Sequence, residues 1–299
     1  TYCFVLAPVT MQDGFELFFT DFEGHRYTLT GHNPLILERS GIISLQTITP
    51  EADGSVAITD EAGLRNWFES LSEDPSSTAV LERDITLDGN WTPAAENGFT
   101  GLLDGNGKVI SGLDVSVSSD FAGLFASVMA GGMVRDLTLE IVGVETSSAT
   151  GSAGAIAGFS LGTIENCVVR PVSGTATVSA PTYSGGIVGN NSLRVTGCTV
   201  ENVNVTASGS VGASGGICGV NHGKIENCNV ASSVFSATGL AGNAGAVAGH
   251  NSRLSEAFSG YISSCSVSYT EVSAVNAGIL VGTNEGSGYI AGIYGSSAS

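Results

Sequence analysis

The sequence predicts an all-β protein built around a parallel β-solenoid of five to six coils, each about 30 residues long. Three observations favour this fold. The motif G-x-φ-x-G, in which φ is an aliphatic residue, recurs at a nearly constant spacing. Cysteine and asparagine recur in fixed registers beside it, and short runs of Val, Ile and Thr are separated by turn residues. Closely spaced Gly and Thr penalise helices, so helical repeats are disfavoured.

The repeat itself is defined by the glycine motif. Its successive starts are separated by 31, 30, 30 and 33 residues, at 154–158, 185–189, 215–219, 245–249 and 278–282. A degenerate copy at 123–127 lies another 31 residues upstream. We interpret these glycines as corner residues that supply positive φ and allow close approach of two backbones.

Two further registers keep the phase of this motif. The asparagine register, two residues beyond the closing glycine, contains Asn191, Asn221, Asn251 and Asn284. Neighbouring coils of a solenoid lie about 4.8 Å apart, so these amides are expected to form a side-chain ladder. The cysteine register contains Cys167, Cys198, Cys228 and Cys265, with Leu137 in the first copy. We expect a buried stack of reduced thiols, because free cysteine behaves as a small hydrophobe and stacked side chains seldom meet disulfide geometry.

The segment 50–120 is expected to cap the solenoid and to contain its first strands. A helix is predicted over 60–72, where Leu64, Trp67, Phe68 and Leu71 form an apolar stripe and Pro75 follows. An open first coil would expose core side chains and strand edges, so we assign this helix to the cap. The regular repeats then occupy 121–299.

Residues 1–49 have a different pattern. Phe15, Leu17 and Phe19 belong to an alternating β pattern, and Tyr27 lies in a second one. So short a segment cannot easily bury a core alone. We therefore expect the closing part of a β-sandwich, and a segment that precedes Thr1 in the whole protein.

Composition excludes several functions. Of 299 residues 42 are Gly, only 13% are charged, and the formal net charge is −18. An acidic chain without a basic run repels nucleic acid and anionic lipid headgroups. No stretch approaches the roughly 20 apolar residues that a membrane-spanning helix needs.

The segment 99–113 (FTGLLDGNGKVISGL), followed by Gly123-Leu124-Phe125 and the repeats, resembles proteins with the GLUG motif. The resemblance covers roughly residues 55–290. This repeat is associated with bacterial surface proteins and also occurs as a non-catalytic region of IgA-specific metallopeptidases. The resemblance implies a right-handed β-helix outside the cell.

Residues 1–49 resemble, over a shorter match, the closing strands of fimbrillin-like domains of Bacteroidetes surface proteins. The matching positions are Pro8, Asp13-Gly14, Tyr27-Thr28 and Gly41. Together the two resemblances imply an extracellular protein on the bacterial surface, anchored in the outer membrane through the missing N-terminal region.

Residues for catalysis are not found. A zinc protease needs H-E-x-x-H, which is absent, and the four histidines stand apart from any metal-ligand pattern. We therefore expect no catalytic, metal or cofactor site. A glycosidase or lyase remains the enzymatic alternative, since Glu165 and Glu226 share a register two coils apart, and Glu201 lies between them in sequence.

The favoured function is a non-catalytic adhesin or binding module for host glycoproteins, polysaccharide or partner surface or pilus proteins. Such a protein needs an exposed aromatic patch. The candidate contacts are Tyr183, Phe235, Phe258, Tyr261 and Tyr269. A structural spacer, or an accessory repeat region of an IgA-peptidase-like surface protein without protease activity, is the alternative.

Overall fold

The computed structural model describes residues 9–11, 15–20, 25–31, 35–37, 51–94, 98–255, 259–285, 288–291 and 294–296. The chain forms two compact units, Thr1–Ala57 and Ile58–Ser299. Among the described residues no helix is both long and apolar enough to cross a membrane.

The first unit contains short antiparallel strands. They are β1 Val9–Met11, β2 Phe15–Thr20, β3 His25–Gly31, β4 Leu35–Leu37 and β5 Glu51–Ile58, the last of which ends on the first residue of the second unit. Strand β1 pairs with β4, β2 with β3, and β3 with β5. Pro8, Asp13, Gly14 and Gly41, on which the fimbrillin-like resemblance rests, lie outside the described residues.

The second unit begins with one helix, α1 (Glu61–Ser70). Asp60 caps it, since its side chain accepts a hydrogen bond from the Gly63 amide at 2.8 Å. The apolar stripe is buried, and its two aromatic rings, Trp67 and Phe68, pack edge-on against rings of the first coil. Trp67 packs against Phe99, and Phe68 packs against Trp91. The helix therefore closes the first coil, as the sequence predicts.

The rest of the unit is a parallel β-solenoid of six coils, which confirms the predicted fold class. Each coil contributes strands to four faces. Face 1 contains β10 Phe121–Ala122, β14 Ser152–Gly154, β19 Tyr183–Gly185, β24 Ala213–Gly215, β29 Asn243–Gly245 and β34 Asn276–Gly278. Face 2 contains β11 Phe125–Val128, β15 Ala157–Ser160, β20 Val188–Asn191, β25 Cys218–Asn221, β30 Ala248–Asn251 and β35 Val281–Asn284.

The other two faces begin earlier in the chain. Face 3 contains β6 Thr78–Leu81, β8 Leu102–Asp104, β12 Met133–Arg135, β16 Thr163–Glu165, β21 Arg194–Thr196, β26 Lys224–Glu226, β31 Tyr261–Ser263 and β36 Tyr289–Ala291. Face 4 contains β7 Ile85–Thr86, β9 Val109–Val117 and β13 Thr138–Thr146, and then the shorter pairs β17 Val168–Pro171 and β18 Ala176–Ala180, β22 Thr199–Glu201 and β23 Val203–Ala207, β27 Asn229–Ala231 and β28 Val234–Ala237, and β32 Ser266–Ser268 and β33 Glu271–Ala274, with β37 Tyr294–Ser296 last.

The recurrent glycines form the corner between faces 1 and 2. A Cβ added to Gly185 would overlap the carbonyl oxygen of Val188, and one added to Gly215 would overlap that of Cys218. None of the motif glycines has positive φ, so only close backbone approach explains them. The interpretation that they supply positive φ is wrong.

Positive φ occurs instead within face 4, at Asn202, Ser232 and Tyr269, and at the corner between faces 3 and 4. Asp136, Asn166, Gly197, Asn227 and Ser264 occupy it, with φ of 51°, 52°, 66°, 56° and 54°. Asn, Asp and Gly adopt this left-handed conformation most readily. The sequence therefore marks the corner of close backbone approach and the corners of positive φ with different sets of residues.

Candidate ligand-binding face

An asparagine stack runs along the corner between faces 2 and 3. Asn191 Nδ2 donates to Asn221 Oδ1 at 2.7 Å, Asn221 Nδ2 to Asn251 Oδ1 at 2.8 Å, and Asn251 Nδ2 to Asn284 Oδ1 at 2.7 Å. Asn191, Asn221 and Asn251 have no exposed surface. Buried amide groups are usually hydrogen-bonded, and the next coil supplies an acceptor for the Nδ2 group of each of these three side chains.

The same stack binds the backbone where face 3 begins. Asn191 Nδ2 also donates to the carbonyl of Lys224 at 3.3 Å, and Asn251 Nδ2 to the carbonyl of Gly260 at 3.3 Å. Asn221 Nδ2 donates to the carbonyl of Gly223 at 3.1 Å. The buried amides therefore hold the first residues of face 3 in register from one coil to the next.

Four side chains stand in line on the outer surface at that position. Arg194 lies beside Lys224, Lys224 beside Tyr261, and Tyr261 beside Tyr289. We call Arg194, Lys224, Tyr261 and Tyr289 the basic–aromatic row. Arg194, Lys224 and Tyr289 are exposed and Tyr261 is half-buried. Adjacent members are about 4.8 Å apart, because each comes from the next strand of one sheet.

The two tyrosine rings of the row are stacked. Their centroids are 5.1 Å apart and their planes differ by 9°. In this arrangement each ring covers one face of the other, and each ring carries a hydroxyl group. Together with the guanidinium of Arg194 and the ammonium of Lys224, the row is a line of four hydrogen-bond donors.

Ion pairs leave one of these cations unpaired. Arg194 Nη2 lies 3.6 Å from Glu226 Oε2, a contact that is partly solvated on both sides. Farther along the same face, Arg135 binds Asp104 at 2.7 Å. Within the part of the chain that the structure describes, no carboxylate lies within ion-pair distance of Lys224. Its ammonium is therefore available to an external anion.

A long corner flanks the row. Between β30 and β31 the chain takes nine residues, 252–260, where the preceding corner, between β25 and β26, takes two. Arg253 pairs with Ser259 in an isolated antiparallel bridge, and Leu254 is 64% exposed. The imidazole Nδ1 of His222, one coil earlier, lies 3.1 Å from Ser252 Oγ. Partial burial lowers the pKa of His222, although a hydrogen bond to Ser252 opposes the shift.

The predicted ligand contacts do not form one patch. Tyr261 belongs to the row, Tyr183 is half-buried on face 1, and Tyr269 is 72% exposed at the corner within face 4. The prediction that Phe235 contacts a ligand is wrong, because its ring is fully buried in the core. Phe258 lies outside the described residues.

Sequence reasoning did not find Arg194, Lys224 or Tyr289. The spacing from the cysteine register marks Arg194 and Lys224 in the sequence. Arg194, Lys224 and Tyr261 each lie four residues before a cysteine, as Thr163 does in the preceding coil. Tyr289 has no such marker.

The cysteines lie inside the solenoid. Cys167, Cys198, Cys228, Cys265 and Cys218 are all free and buried. The Sγ of Cys198 donates to the carbonyl of Thr196 at 3.4 Å. Burial raises the pKa of the Cys198 and Cys218 thiols.

The three glutamates considered for catalysis do not all lie on one face. Glu165 and Glu226 lie on one face with Thr196 between them, whereas Glu201 lies on face 4. Among the described residues no group of three His, Cys, Asp or Glu side chains could hold a metal ion. A shallow cavity of about 280 Å³ beside β10 has a single carboxylate in its lining, Asp120. Hydrogen bonds from Ser148 and Thr150 lower the pKa of Asp120. These positions offer no pair of carboxylates facing a common cleft.

Comparison with known proteins supports the fold. No family model matches the chain, and no curated protein matches it. A crystal structure of a "putative immunoglobulin A1 protease from Bacteroides ovatus" is similar, with a TM-score of 0.52 and 18% sequence identity. The match covers 81% of this chain and 84% of that chain. At this identity the likeness shows a shared fold.

Proposed function

We propose that this chain is a non-catalytic binding module of a bacterial surface protein, and that it binds glycans or glycoproteins along face 3. The basic–aromatic row carries this proposal. It combines stacked tyrosines, a guanidinium and an ammonium that has no ion-pair partner among the described residues, all on one continuous parallel sheet. Exposed aromatic and cationic groups of this kind are typical of recognition surfaces.

Rigidity supports a binding function for the row. Every strand of face 3 from β8 to β31 is hydrogen-bonded on both sides, and the buried asparagine stack fixes the start of several of them. A ligand would therefore meet donors that are already in place, which lowers the entropic cost of binding. Catalysis by a pair of carboxylates would need a shared cleft, and of the three glutamates considered from the sequence, Glu201 lies on a different face from Glu165 and Glu226.

The similar crystal structure favours a second candidate. That protein is described as a putative immunoglobulin A1 protease, and the match covers most of both chains. A related role for this chain is an accessory repeat region of an IgA-peptidase-like surface protein, without protease activity of its own. Such a region could use the same row to hold a glycoprotein. As part of this proposal, the protein lies on the bacterial cell surface, its repeats are of the GLUG type, and residues 1–49 come from a fimbrillin-like domain.

The test is binding of the full chain to an array of host glycans, mucins, polysaccharides, matrix proteins and immunoglobulin A. The test variants are Lys224→Thr and Tyr261→Thr, because Thr163 already occupies this row position in β16. Arg170→Thr is the control, since it removes an exposed cation from face 4. We expect a competable signal that both row variants reduce and the control retains. Equal binding by all three variants, or cleavage of a bound glycan, would contradict the proposal.

A further inference from the structure

We infer that the ligand is a carboxylate-bearing glycan chain that lies along the solenoid axis on the basic–aromatic row. This inference rests on the proposed function and narrows it to one class of ligand. The row offers a guanidinium, an ammonium and two phenols, all of which can donate a hydrogen bond. None of the four can supply a carboxylate acceptor. The complementary ligand is rich in acceptors and negatively charged.

The distribution of charge favours an anion at this position despite the net charge of the chain. Residues 1–182 contain 23 acidic and 7 basic side chains, whereas residues 183–299 contain 5 acidic and 3 basic side chains. The three basic residues are Arg194, Lys224 and Arg253, which lie on or beside the row. The acidic field is therefore concentrated in the other part of the chain. Over distances beyond about 10 Å it is screened at ordinary ionic strength.

Geometry sets the direction of the ligand. The four side chains come from consecutive strands of face 3, so the row runs across the strands and along the solenoid axis for about 14 Å. A donor every 4.8 Å or so is close to the length of one sugar unit in an extended chain. A linear oligosaccharide with a carboxylate on its sugars could therefore meet one member of the row with each successive unit.

A peptide fits this surface less well. The inner strands of face 3 have no free edge, so an extended peptide cannot add to the sheet there. The aliphatic residues of the row strands, such as Ile225 and Ile262, are fully buried, and none of the four row members is an aliphatic side chain on which an amphipathic helix could pack. Hydroxyl and carboxylate groups of a glycan need neither an edge nor a groove.

The two cations should contribute unequally. Lys224 is unpaired among the described residues, whereas Arg194 is already 3.6 Å from Glu226. A ligand that binds Arg194 must compete with this carboxylate. Loss of the Lys224 ammonium is therefore expected to weaken binding about tenfold, and loss of the Arg194 guanidinium by less than that.

The experiment compares two probes that share one sugar backbone. They are a short oligogalacturonate and its methyl ester, titrated against the full chain, together with sialylated mucin before and after sialidase treatment. These arms distinguish a uronate from a sialate as the source of the carboxylate. The variants are Lys224→Thr and Arg194→Thr, with Arg170→Thr as the control on face 4. Poly-glutamate serves as a polyanion without sugars.

The expected result has three parts. At least one carboxylate-bearing glycan binds, and esterification or sialidase weakens that binding about tenfold or more. Raising the salt concentration weakens it further, because exposed charges are screened. Lys224→Thr weakens it more than Arg194→Thr does, and Arg170→Thr leaves it unchanged. Binding that persists after esterification would overturn this inference and leave the proposed function standing as recognition of a neutral glycan.

Other outcomes distinguish the proposed function, glycan binding, from the narrower inference that the glycan carries carboxylates. Equal affinity for poly-glutamate and oligogalacturonate would overturn the assignment to a glycan, since it would show general attraction of anions. A failure of every glycan and glycoprotein on the array to bind would contradict the proposed function itself. Binding of sialylated mucin alone would support the inference and identify the sialate as the source of the carboxylate.

Discussion

Replacement of Asn221 by alanine should destabilise the solenoid strongly. Its side chain has no exposed surface and makes four hydrogen bonds within normal distance. It donates to Asn251 Oδ1 at 2.8 Å and to the Gly223 carbonyl at 3.1 Å, and it accepts from Asn191 Nδ2 at 2.7 Å and from the Gly223 amide at 3.2 Å. Alanine removes all four at once.

The magnitude follows from the groups that lose their partners. Asn251 Oδ1 and the Gly223 amide would be left buried without these hydrogen bonds, whereas Asn191 Nδ2 keeps the Lys224 carbonyl. Each orphaned buried group costs about 1 to 3 kcal/mol. We expect the free energy of unfolding to fall by about 3 kcal/mol, which corresponds to a drop of roughly 6 to 12 °C in the thermal midpoint of a chain of this size.

Thermal unfolding followed by circular dichroism measures this loss, and Asn284→Ala is the matched control. Asn284 is exposed at the last coil, and Asn251 Nδ2 keeps the Gly260 carbonyl when Asn284 is lost. The control should therefore cost less than about 1 kcal/mol. A midpoint for Asn221→Ala that equals that of Asn284→Ala would refute the assignment of the buried ladder.

Four further predictions concern other positions. Ser160→Asn should raise the free energy of unfolding by about 1 kcal/mol, because the new amide can donate to Asn191 Oδ1, a buried oxygen without a partner in the described structure. An unchanged free energy of unfolding would contradict this prediction. Tyr269→Asn should also raise it by about 1 kcal/mol, since this exposed tyrosine has a φ of 51° that asparagine tolerates better, and Tyr269→Ala, which retains the strain, should give no gain. In a Cys3→Ser background the five described cysteines should react with a thiol reagent only as fast as the chain unfolds, because all are buried; fast labelling of native protein would show that the core opens locally. Lowering the pH from about 7.5 to about 5 should destabilise the wild type more than His222→Ser. Burial lowers the pKa of His222 in the folded protein, so this imidazole takes up a proton more readily in the unfolded chain once the pH falls below about 6.5, and the folded state loses stability. Equal losses of stability in the wild type and in His222→Ser would exclude this histidine as the cause.

Periodic features of the fold could be predicted from the sequence because each coil repeats the same physical problem. A polar side chain at Asn191, Asn221 and Asn251 can be buried only where the next coil supplies a partner, and a constant spacing encodes that requirement. The stripe of Leu64, Trp67 and Phe68 likewise encodes a helix with one buried side. The constant spacing of the asparagines and the apolar stripe of the helix can both be recognised in the amino-acid sequence.

The basic–aromatic row could not be predicted in the same way, because its members are chemically different. Arg194 and Lys224 are 30 residues apart, but the long corner 252–260 places Tyr261 37 residues after Lys224, and Tyr289 follows after 28. Alignment by the glycine motif loses this register at the insertion. Phe235 shows the opposite failure, because aromatic character alone does not distinguish a buried core residue from an exposed contact.

Glycan binding on face 3 is tested most directly by a crystal structure of the full chain with the tightest-binding glycan from the array. We expect the glycan to lie along the solenoid axis on face 3, with a carboxylate at the Lys224 ammonium and sugar units against Tyr261 and Tyr289. A glycan bound intact on another face, or cleaved at any position, would contradict it.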